Sequence, residues 1–283
     1  MAGLEKMKAL KEMALQLRCN LLEMIGVNKA GHLGGSSSLA EIIATLYFYK
    51  MKLNRDDPKD EDRDRLVLSK GHAVLIQYAA LAELGYVPKH ELKKVKTLSG
   101  LLQGHPDMSI PGIEAVTGSL GMGLSIGLGM ALAFRLDKKQ SRVFVIMGDG
   151  ELSEGQLWEA AMAAARFRSD NIVGIVDRNR VQATGPTAEV FPIPEIGKKF
   201  AAFGWNVAEI DGHDIPSIMG ALDAAETVKG MPSMIVADTV KGKAFSFAEN
   251  SAAFHNCFLS QEQFDRARSE LAAQKAALDL EKD

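Results

Sequence analysis

The sequence predicts an α/β fold, in which a parallel β-sheet carries helices on both faces. Short runs of β-branched and apolar residues recur along the chain, and each run ends in turn or polar residues, as buried strands do. Helical stretches separate these runs, and strands that alternate with helices are typical of a parallel sheet. The five predicted strands cover residues 66–68, 143–147, 172–176, 205–210 and 233–237.

Helices are predicted between the strands and at both ends of the chain. An amphipathic helix opens the chain at about residues 1–25, and another closes it over residues 261–283. The apolar run 39–48 predicts a further helix, which the glycine- and serine-rich loop 34–38 can cap. The helices between the strands are predicted over residues 73–84, 120–134, 155–168 and 215–228.

Composition indicates an ordinary soluble globular protein. The chain has 283 residues, of which 47% are hydrophobic and 24% charged, and it contains no repeat or low-complexity linker. We therefore expect a single domain over residues 1–283, with the two terminal helices at its periphery. The net charge of −3 gives no general attraction to nucleic acid or to anionic membranes. Two distant cysteines, Cys19 and Cys257, argue against a disulfide framework and suit a reducing cytoplasm.

One uncharged stretch, residues 115–134, is long enough to span a bilayer. It also contains five glycines, one threonine and two serines, which suits a loop running into a tightly packed helix better than a lipid-facing span. The first twenty residues are rich in lysine and glutamate rather than resembling a secretory signal. We therefore expect no membrane partner.

Polar residues follow two of the predicted strands at the point where each ends. Gly148-Asp149-Gly150 comes after strand 143–147, and Asp177-Arg178-Asn179 comes after strand 172–176. Ligands of parallel sheets bind at the carboxyl ends of the strands. If the two strands are neighbours, their polar residues lie side by side at that edge.

These residue types suit magnesium and a diphosphate group. Magnesium prefers oxygen ligands, typically one or two carboxylates together with phosphate oxygens and water. Asp149 could supply a carboxylate, Asn179 an amide oxygen and Val181 a backbone carbonyl. Gly148 and Gly150 let backbone N–H groups approach phosphates, and the helix that follows points its positive end toward them.

Taken alone, GDG could be a simple turn after a strand. An EF-hand is a poor alternative, because Glu154 stands at the sixth loop position, where glycine is needed. The spacing is more informative: residues 151–178 separate GDG from Asn179, and a strand precedes each end. That arrangement is the signature of thiamine-diphosphate enzymes.

On these residues, the chain resembles the transketolase family. The resemblance is to the part of those enzymes that binds the diphosphate. The resemblance implies a thiamine-diphosphate-binding fold, with thiamine diphosphate and Mg²⁺ (or Ca²⁺) as cofactors. Further motifs occur in the family's order: GHLGGSSS at 31–38, LSKGHA at 68–73, GHPD at 104–107, TGSLGMG at 117–123 and KGKAFSFAENSAAFH at 241–255.

The resemblance implies roles for four of the six histidines. His32 and His255 would face the reacting carbons of the ketose, His72 and His255 would touch the diphosphate, and His105 would line the substrate channel. Imidazoles with near-neutral pKa values can shuttle protons and donate to sugar hydroxyls. The remaining two histidines, at positions 90 and 213, are expected to be structural or on the surface.

By the same resemblance, Gly118, Ser119 and Leu120 would lie against the aminopyrimidine ring. Glu154, which we group with the cofactor-binding residues, and Glu159 match glutamates that run between two active sites at the subunit interface. The alternative is that both are solvated residues at a helix start, where the macrodipole favours acidic side chains.

The chain departs from the family pattern at three positions. Met122 stands where many relatives carry glutamine, Ala244 where glycine is usual, and Asn256 where glycine follows the histidine. The last two lie in the segment of His255, so they bear on its assignment.

The family transfers a two-carbon ketol unit from a ketose phosphate to an aldose phosphate, with pentose phosphates as its usual substrates. The glutamate that activates the cofactor and the arginines that bind the sugar phosphate lie in a second, pyrimidine-binding domain. We expect that domain on a separate C-terminal subunit in an α2β2 heterotetramer, with a truncated chain as the alternative.

Four other interpretations are weaker. Ser125 lies in a GxSxG pattern, but glycines precede it where a hydrolase needs a strand. The same glycines do not have dinucleotide-binding spacing. An α-type subunit of a 2-oxoacid dehydrogenase, or another thiamine-diphosphate transferase of ketol or aldehyde units, also fits GDG, although the histidine motifs argue against it. A non-catalytic binding protein is the last alternative, and it is weaker because such a protein would have no use for a complete metal site.

Overall fold

A computed structural model describes residues 2–280, so the expected helical positions 1 and 281–283 lie outside the described part. Its centre is a five-stranded parallel sheet in the order β1-β2-β3-β7-β6. All five predicted strands are confirmed, each within one or two residues of its expected ends. The strands are β1 Arg65–Leu68, β2 Val143–Gly148, β3 Ile172–Arg178, β6 Asn206–Asp211 and β7 Ser233–Asp238, and a separate small hairpin pairs β4 Val181–Gln182 with β5 Gly185–Pro186.

Helices lie on both faces of the sheet, as predicted. Alternate residues of β2 enter different cores: Phe144 and Ile146 join the core beneath α1, α3, α4 and α9, whereas Val143 and Val145 join the core beneath α5, α6 and α8. Because both faces of β2 are covered, its sequence is continuously apolar rather than alternating. The α-helices are α1 Ala2–Ile25, α2 Leu33–Ser37, α3 Ala40–Thr45, α4 Val74–Leu84, α5 Met122–Leu136, α6 Gly155–Arg166, α7 Thr187–Val190, α8 Ile196–Ala202, α9 Ile215–Thr227 and α10 Gln261–Leu280.

Short 3-10 helices cover Gly71–Ala73, Lys89–Lys94, Gly150–Ser153 and Ala252–Phe254, and a π-helical turn, Leu46–Lys50, extends α3. This π-helical turn at residues 46–50 therefore completes the helix predicted over residues 39–48.

The prediction of a capping loop at residues 34–38 is wrong. Most of this segment is itself helical, as α2, and α3 has no side-chain cap. Two of the serine hydroxyls bond elsewhere: Ser37 donates to the Lys243 carbonyl, and Ser38 donates to the Asp177 carboxylate at 2.7 Å. Burial and these tertiary hydrogen bonds override the poor helix propensity of glycine and serine.

Helix α5 begins two residues later than predicted, after Gly121. That residue has a φ of +83°, and a β-carbon there would lie 2.6 Å from the β-carbon of Glu154. Farther along, Gly123 packs against Ser69 and Gly127 against Val145, so small residues allow the helix to approach the sheet closely. Across residues 2–280, no helix is both long and apolar enough to cross a membrane.

Candidate functional site

The predicted residues collect where the carboxyl ends of β1, β2, β3 and β7 meet. A cavity of about 230 Å³ opens at this edge of the sheet. Its location agrees with the general rule for ligand sites in parallel sheets. Nine of the predicted site residues line it: His72, Gly118, Leu120, Gly148, Asp149, Gly150, Asn179, Val181 and His255.

Strands β2 and β3 are neighbours, as the expected metal site requires, and Gly148 is in register with Asp177. Asp149 accepts hydrogen bonds from the backbone N–H of Gly150 at 2.8 Å and of Arg180 at 2.6 Å. These bonds hold the carboxylate at the end of β2, facing the loop that follows β3.

The orientation of the Asn179 amide is fixed by its two partners. Its nitrogen donates to Asp177 at 3.0 Å, and its oxygen accepts from the backbone N–H of Val181 at 3.2 Å. The amide oxygen therefore lies on the side of the Val181 backbone N–H. The Val181 carbonyl accepts from the Lys241 ammonium at 2.7 Å and keeps a second lone pair.

Asp177 lies beneath the cavity and is completely buried. Its carboxylate accepts from the hydroxyls of Ser38 and Thr239, the amide of Asn179 and the ammonium of Lys70. Burial opposes its charge, but the Lys70 ion pair and these hydrogen bonds hold the pKa of Asp177 below its ordinary value. The sequence placed Asp177 at a strand end but did not indicate this central role.

Burial, followed by the negative charge of Asp177, raises the pKa of Asp149 to about 6. A cation beside Asp149 would therefore relieve an unfavourable charge. Within residues 2–280, no three side chains of His, Cys, Asp or Glu are grouped so as to hold a metal ion. A cation at Asp149 would need oxygen ligands of another kind, such as amide, backbone carbonyl or phosphate oxygens.

Glu151 is a second buried carboxylate that the sequence analysis missed. It accepts from the Ser69 hydroxyl, from the backbone N–H of Gly121 at 2.8 Å and from that of Gly148 at 2.9 Å. These donors belong to three separate loops, so one side chain joins the SKGH, TGSLG and GDG motifs. Burial raises the pKa of Glu151, and its three donors oppose that shift.

Four histidines form a cluster around His32. The His32 ring lies 5.2 Å from that of His72, 6.0 Å from that of His105 and 5.5 Å from that of His255, measured between centroids. The His255 Nδ1 atom lies 2.8 Å from the Lys241 ammonium. The sequence predicted this gathering from motifs spread over more than two hundred residues.

The cluster is uncharged at neutral pH. Burial is the main cause and neighbouring positive charges the next, and together they lower the pKa of His32 to about 3, of His72 to about 2 and of His255 to about 4. Burial and the charge of Lys96 also lower the pKa of His105. Each neutral imidazole can donate one hydrogen bond and accept another.

Some predicted residues lie apart from the cavity. Ser119 and Glu154 are exposed and do not line it, and Glu159 is exposed on α6. His213 lies away from the cluster, where it contacts Glu41 at 2.9 Å and accepts from the Val240 N–H at 2.9 Å. His90 is exposed beside Glu91.

The GxSxG serine does not form a nucleophile elbow. Ser125 lies inside helix α5 and accepts a hydrogen bond from Gln156 at 2.6 Å. The hydrolase motif requires its serine in a sharp strand-to-helix turn, so this interpretation is excluded.

Comparison with known proteins agrees with this geometry. Residues 10–283 match the family model described as transketolase, thiamine diphosphate binding domain. The chain belongs to the transketolase family. The predicted family, its fold and its transferase class are thereby confirmed.

Two transketolase relatives match the chain along nearly their whole length. A 6-deoxy-6-sulfo-D-fructose transketolase subunit from Clostridium sp. is 43% identical over 94% of this chain and 98% of its own. An apulose-4-phosphate transketolase subunit from Phocaeicola vulgatus is 38% identical over 93% of this chain and 94% of its own. Human transketolase is 36% identical over 95% of this chain but 43% of its own.

Solved transketolases share the fold. The Campylobacter jejuni enzyme superposes with a TM-score of 0.88 at 31% identity, over 93% of this chain and 42% of its own. The Leishmania mexicana enzyme gives a TM-score of 0.83 at 27% identity, over 95% of this chain and 45% of its own.

Proposed function

We propose that this chain is the diphosphate-binding subunit of a split, cytoplasmic transketolase and forms a single diphosphate-binding domain. With a separate C-terminal subunit, it transfers a two-carbon ketol unit from a ketose phosphate to an aldose phosphate. The observation that carries this proposal is the neutral four-histidine cluster beside the Asp149–Asn179 edge. It is supported by the near end-to-end match to two transketolase subunits.

Asp149, Asn179 and the Val181 carbonyl would hold Mg²⁺ or Ca²⁺ together with the diphosphate of thiamine diphosphate. The raised pKa of Asp149 supports this assignment, because a cation favours the charged carboxylate. The three oxygens leave further positions for phosphate oxygens and water, which magnesium usually keeps. His72 and the backbone at Gly148 and Gly150 line the same cavity and would face the phosphates.

When bound, thiamine diphosphate supplies a nucleophilic carbon that adds to the ketose carbonyl. The chain's own residues would orient the sugar. His32, His105 and His255 are neutral near pH 7, so each can donate one hydrogen bond to a sugar hydroxyl and accept one from another. Gly118 and Leu120 line the cavity where the aminopyrimidine ring would pack, with Ser119 beside them.

A separate C-terminal subunit would supply the glutamate that activates the cofactor and the groups that bind the sugar phosphate, in an α2β2 assembly. Exposed apolar side chains in the segment 98–116, which carries His105, support such a partner. Leu98, Leu101, Met108 and Val116 are all exposed, and exposed apolar groups near a site often mark a surface that another chain covers.

The test is reconstitution. The purified chain alone should show no ketol transfer, and mixing it with its cognate pyrimidine-domain subunit should produce transfer that depends on thiamine diphosphate and Mg²⁺. Steady-state assays with a ketose phosphate donor and an aldose phosphate acceptor measure both conditions. Robust transfer by this chain alone would contradict the split arrangement, and no transfer from the mixture would contradict the function.

A further inference from the structure

Lys96 connects the two loops that carry His32 and His105. Its ammonium donates to the Ala30 carbonyl at 2.8 Å, two residues before His32. Its alkyl chain crosses Gly104, the residue directly before His105. A β-carbon on Gly104 would lie 2.8 Å from the Lys96 Cε atom, so the absence of a side chain there lets the lysine lie directly against the backbone.

A second lysine makes a reciprocal contact. Lys29 donates to the Lys93 carbonyl at 2.9 Å, while Lys96 donates back to Ala30. Segments 28–30 and 93–96 are thus joined by two hydrogen bonds from charged donors, which are stronger than neutral ones.

The backbone conformation of Lys96 directs its side chain toward Gly104. Lys96 has a φ of +58°, which is uncommon for residues other than glycine, and its N–H donates to the Leu102 carbonyl at 2.9 Å. The loop 96–102 is therefore closed at its base, and the side chain is directed across Gly104 rather than along the preceding helix.

No carboxylate neutralises this ammonium within residues 2–280, where Lys96 makes no ion pair. Desolvation lowers the pKa of Lys96, although much of its side chain is exposed to solvent. Its positive charge in turn lowers the pKa values of His32 and His105. The other titratable groups that face His32 are His72, His255 and Lys241 on the cofactor side.

We propose that Lys96 is a positioning residue for ketol transfer: it holds the His32 and His105 loops at a fixed spacing and keeps a positive charge beside both rings. The reactive groups remain the histidines, and Lys96 acts through them. This inference rests on the proposed function for its kinetic consequence, whereas the coupling of Lys96 to His105 can be measured without any activity.

Three variants separate the possibilities. Lys96→Met keeps the packing over Gly104 but removes the donor and the charge, and Lys96→Arg keeps both. Lys93→Met is the matched control, because its exposed side chain makes the same charge change without touching either histidine loop. Melting temperatures check that all three chains fold.

The direct measurement is an NMR pH titration of the histidine rings in the purified chain labelled with ¹³C-histidine. In Lys96→Met the His105 resonances should titrate at higher pH than in the wild type, because a nearby positive charge has been removed. Lys96→Arg should restore the wild-type value, and Lys93→Met should match it. Equal His105 titration in Lys96→Met and Lys93→Met would overturn the proposal.

Kinetics of the assembly with the partner subunit give the second result. Lys96→Met should reduce kcat/KM by about tenfold, the loss expected for one hydrogen bond from a charged donor, with thiamine-diphosphate affinity unchanged. Unchanged kcat/KM would overturn the positioning role even if the titration shifts. A wild-type assembly without ketol transfer, alongside a shifted His105 titration, would overturn the proposed function and leave the Lys96–His105 coupling supported.

Discussion

The two ends of the site are built differently. At the diphosphate end, buried side chains form a closed network in which Asp177 and Glu151 take donors from several loops. At the histidine end, loops carry His32 and His105, the Lys96 ammonium makes no ion pair within residues 2–280, and apolar side chains such as Leu98 are exposed.

This difference indicates that cofactor binding and turnover depend on different parts of the site. The Asp177 and Glu151 carboxylates have their hydrogen-bond partners within one chain, so we expect their geometry not to depend on another subunit. The histidine end presents neutral imidazoles in a more open setting, which suits a surface completed by a partner. Substitutions at the two ends should therefore separate cofactor binding from turnover.

The largest expected effect is the loss of the Asp149 carboxylate. Asp149→Ala should weaken Mg²⁺-dependent binding of thiamine diphosphate by about 100-fold or more, because residues that merely orient a metal ligand already contribute roughly 10–100-fold. Isothermal titration calorimetry measures this change, and Asp137→Ala, on an exposed acid at the end of α5, is the control. Unchanged binding would remove Asp149 from the site.

At the histidine end, His32→Ala should lower kcat of the reconstituted enzyme by about 5- to 150-fold, the loss expected when a buried hydrogen-bonding partner is left unpaired. Cofactor affinity should change little, because His32 does not line the diphosphate cavity. Steady-state kinetics with His90→Ala as control test this separation. If His32→Ala lost cofactor affinity and kept its kcat, cofactor binding and turnover would not be separated between the two ends of the site.

The pH dependence of cofactor binding should reflect Asp149. Its pKa is raised to about 6, so the carboxylate is charged above that value and increasingly protonated below it. A protonated carboxyl is a poor metal ligand, so affinity for Mg²⁺ with thiamine diphosphate should fall about tenfold per pH unit well below pH 6. A pH-independent Kd between pH 5 and pH 7, the range spanning that pKa, would contradict this role.

Glu151→Ala tests whether the diphosphate end is organised by its own network. The change leaves the donors of Ser69, Gly121 and Gly148 without their buried acceptor, which should reduce the free energy of unfolding by about 1–3 kcal/mol. Urea denaturation measures the loss, and exposed Glu159→Ala should be close to neutral. Equal stability of the two variants would show that the loops hold their positions by other contacts.

The smallest effect is expected at Ala244, where the family usually has glycine. Ala244 has a φ of +77°, a left-handed conformation that strains an alanine. Ala244→Gly should stabilise the chain by about 0.5–1 kcal/mol, after allowing for the added freedom of glycine in the unfolded state. Ala252→Gly, in a helical turn, should instead be destabilising. If both variants changed the free energy of unfolding in the same direction, backbone strain at Ala244 would not explain the result.

Much of the fold and part of the site could be predicted from sequence. Strands β2 and β3 are continuously apolar and end in glycine or charged residues, so both their bounds and their shared edge could be inferred. Asp149 and Asn179 then fall at that edge because parallel neighbours end together. The histidine cluster required the family resemblance, because no local pattern brings those four loops together.

The side-chain network could not be predicted. Glu151 and Ser69 are 82 residues apart, and Lys96 and Ala30 are 66 apart, so nothing in their local sequence shows that they meet. The helical turn at α2 was also unexpected, because its stability comes from burial and from the bond of Ser38 to Asp177 rather than from propensity. Such contacts follow from tertiary packing alone.

The most direct test is to titrate the purified chain, without any partner, with thiamine diphosphate in the presence and absence of Mg²⁺. Because all the residues proposed to hold the metal and the diphosphate lie in this chain, binding should be measurable with Mg²⁺, should disappear without it, and should be absent for thiamine, which lacks the diphosphate. Equal affinity for thiamine and thiamine diphosphate, or binding indifferent to Mg²⁺, would contradict a self-sufficient metal–diphosphate site.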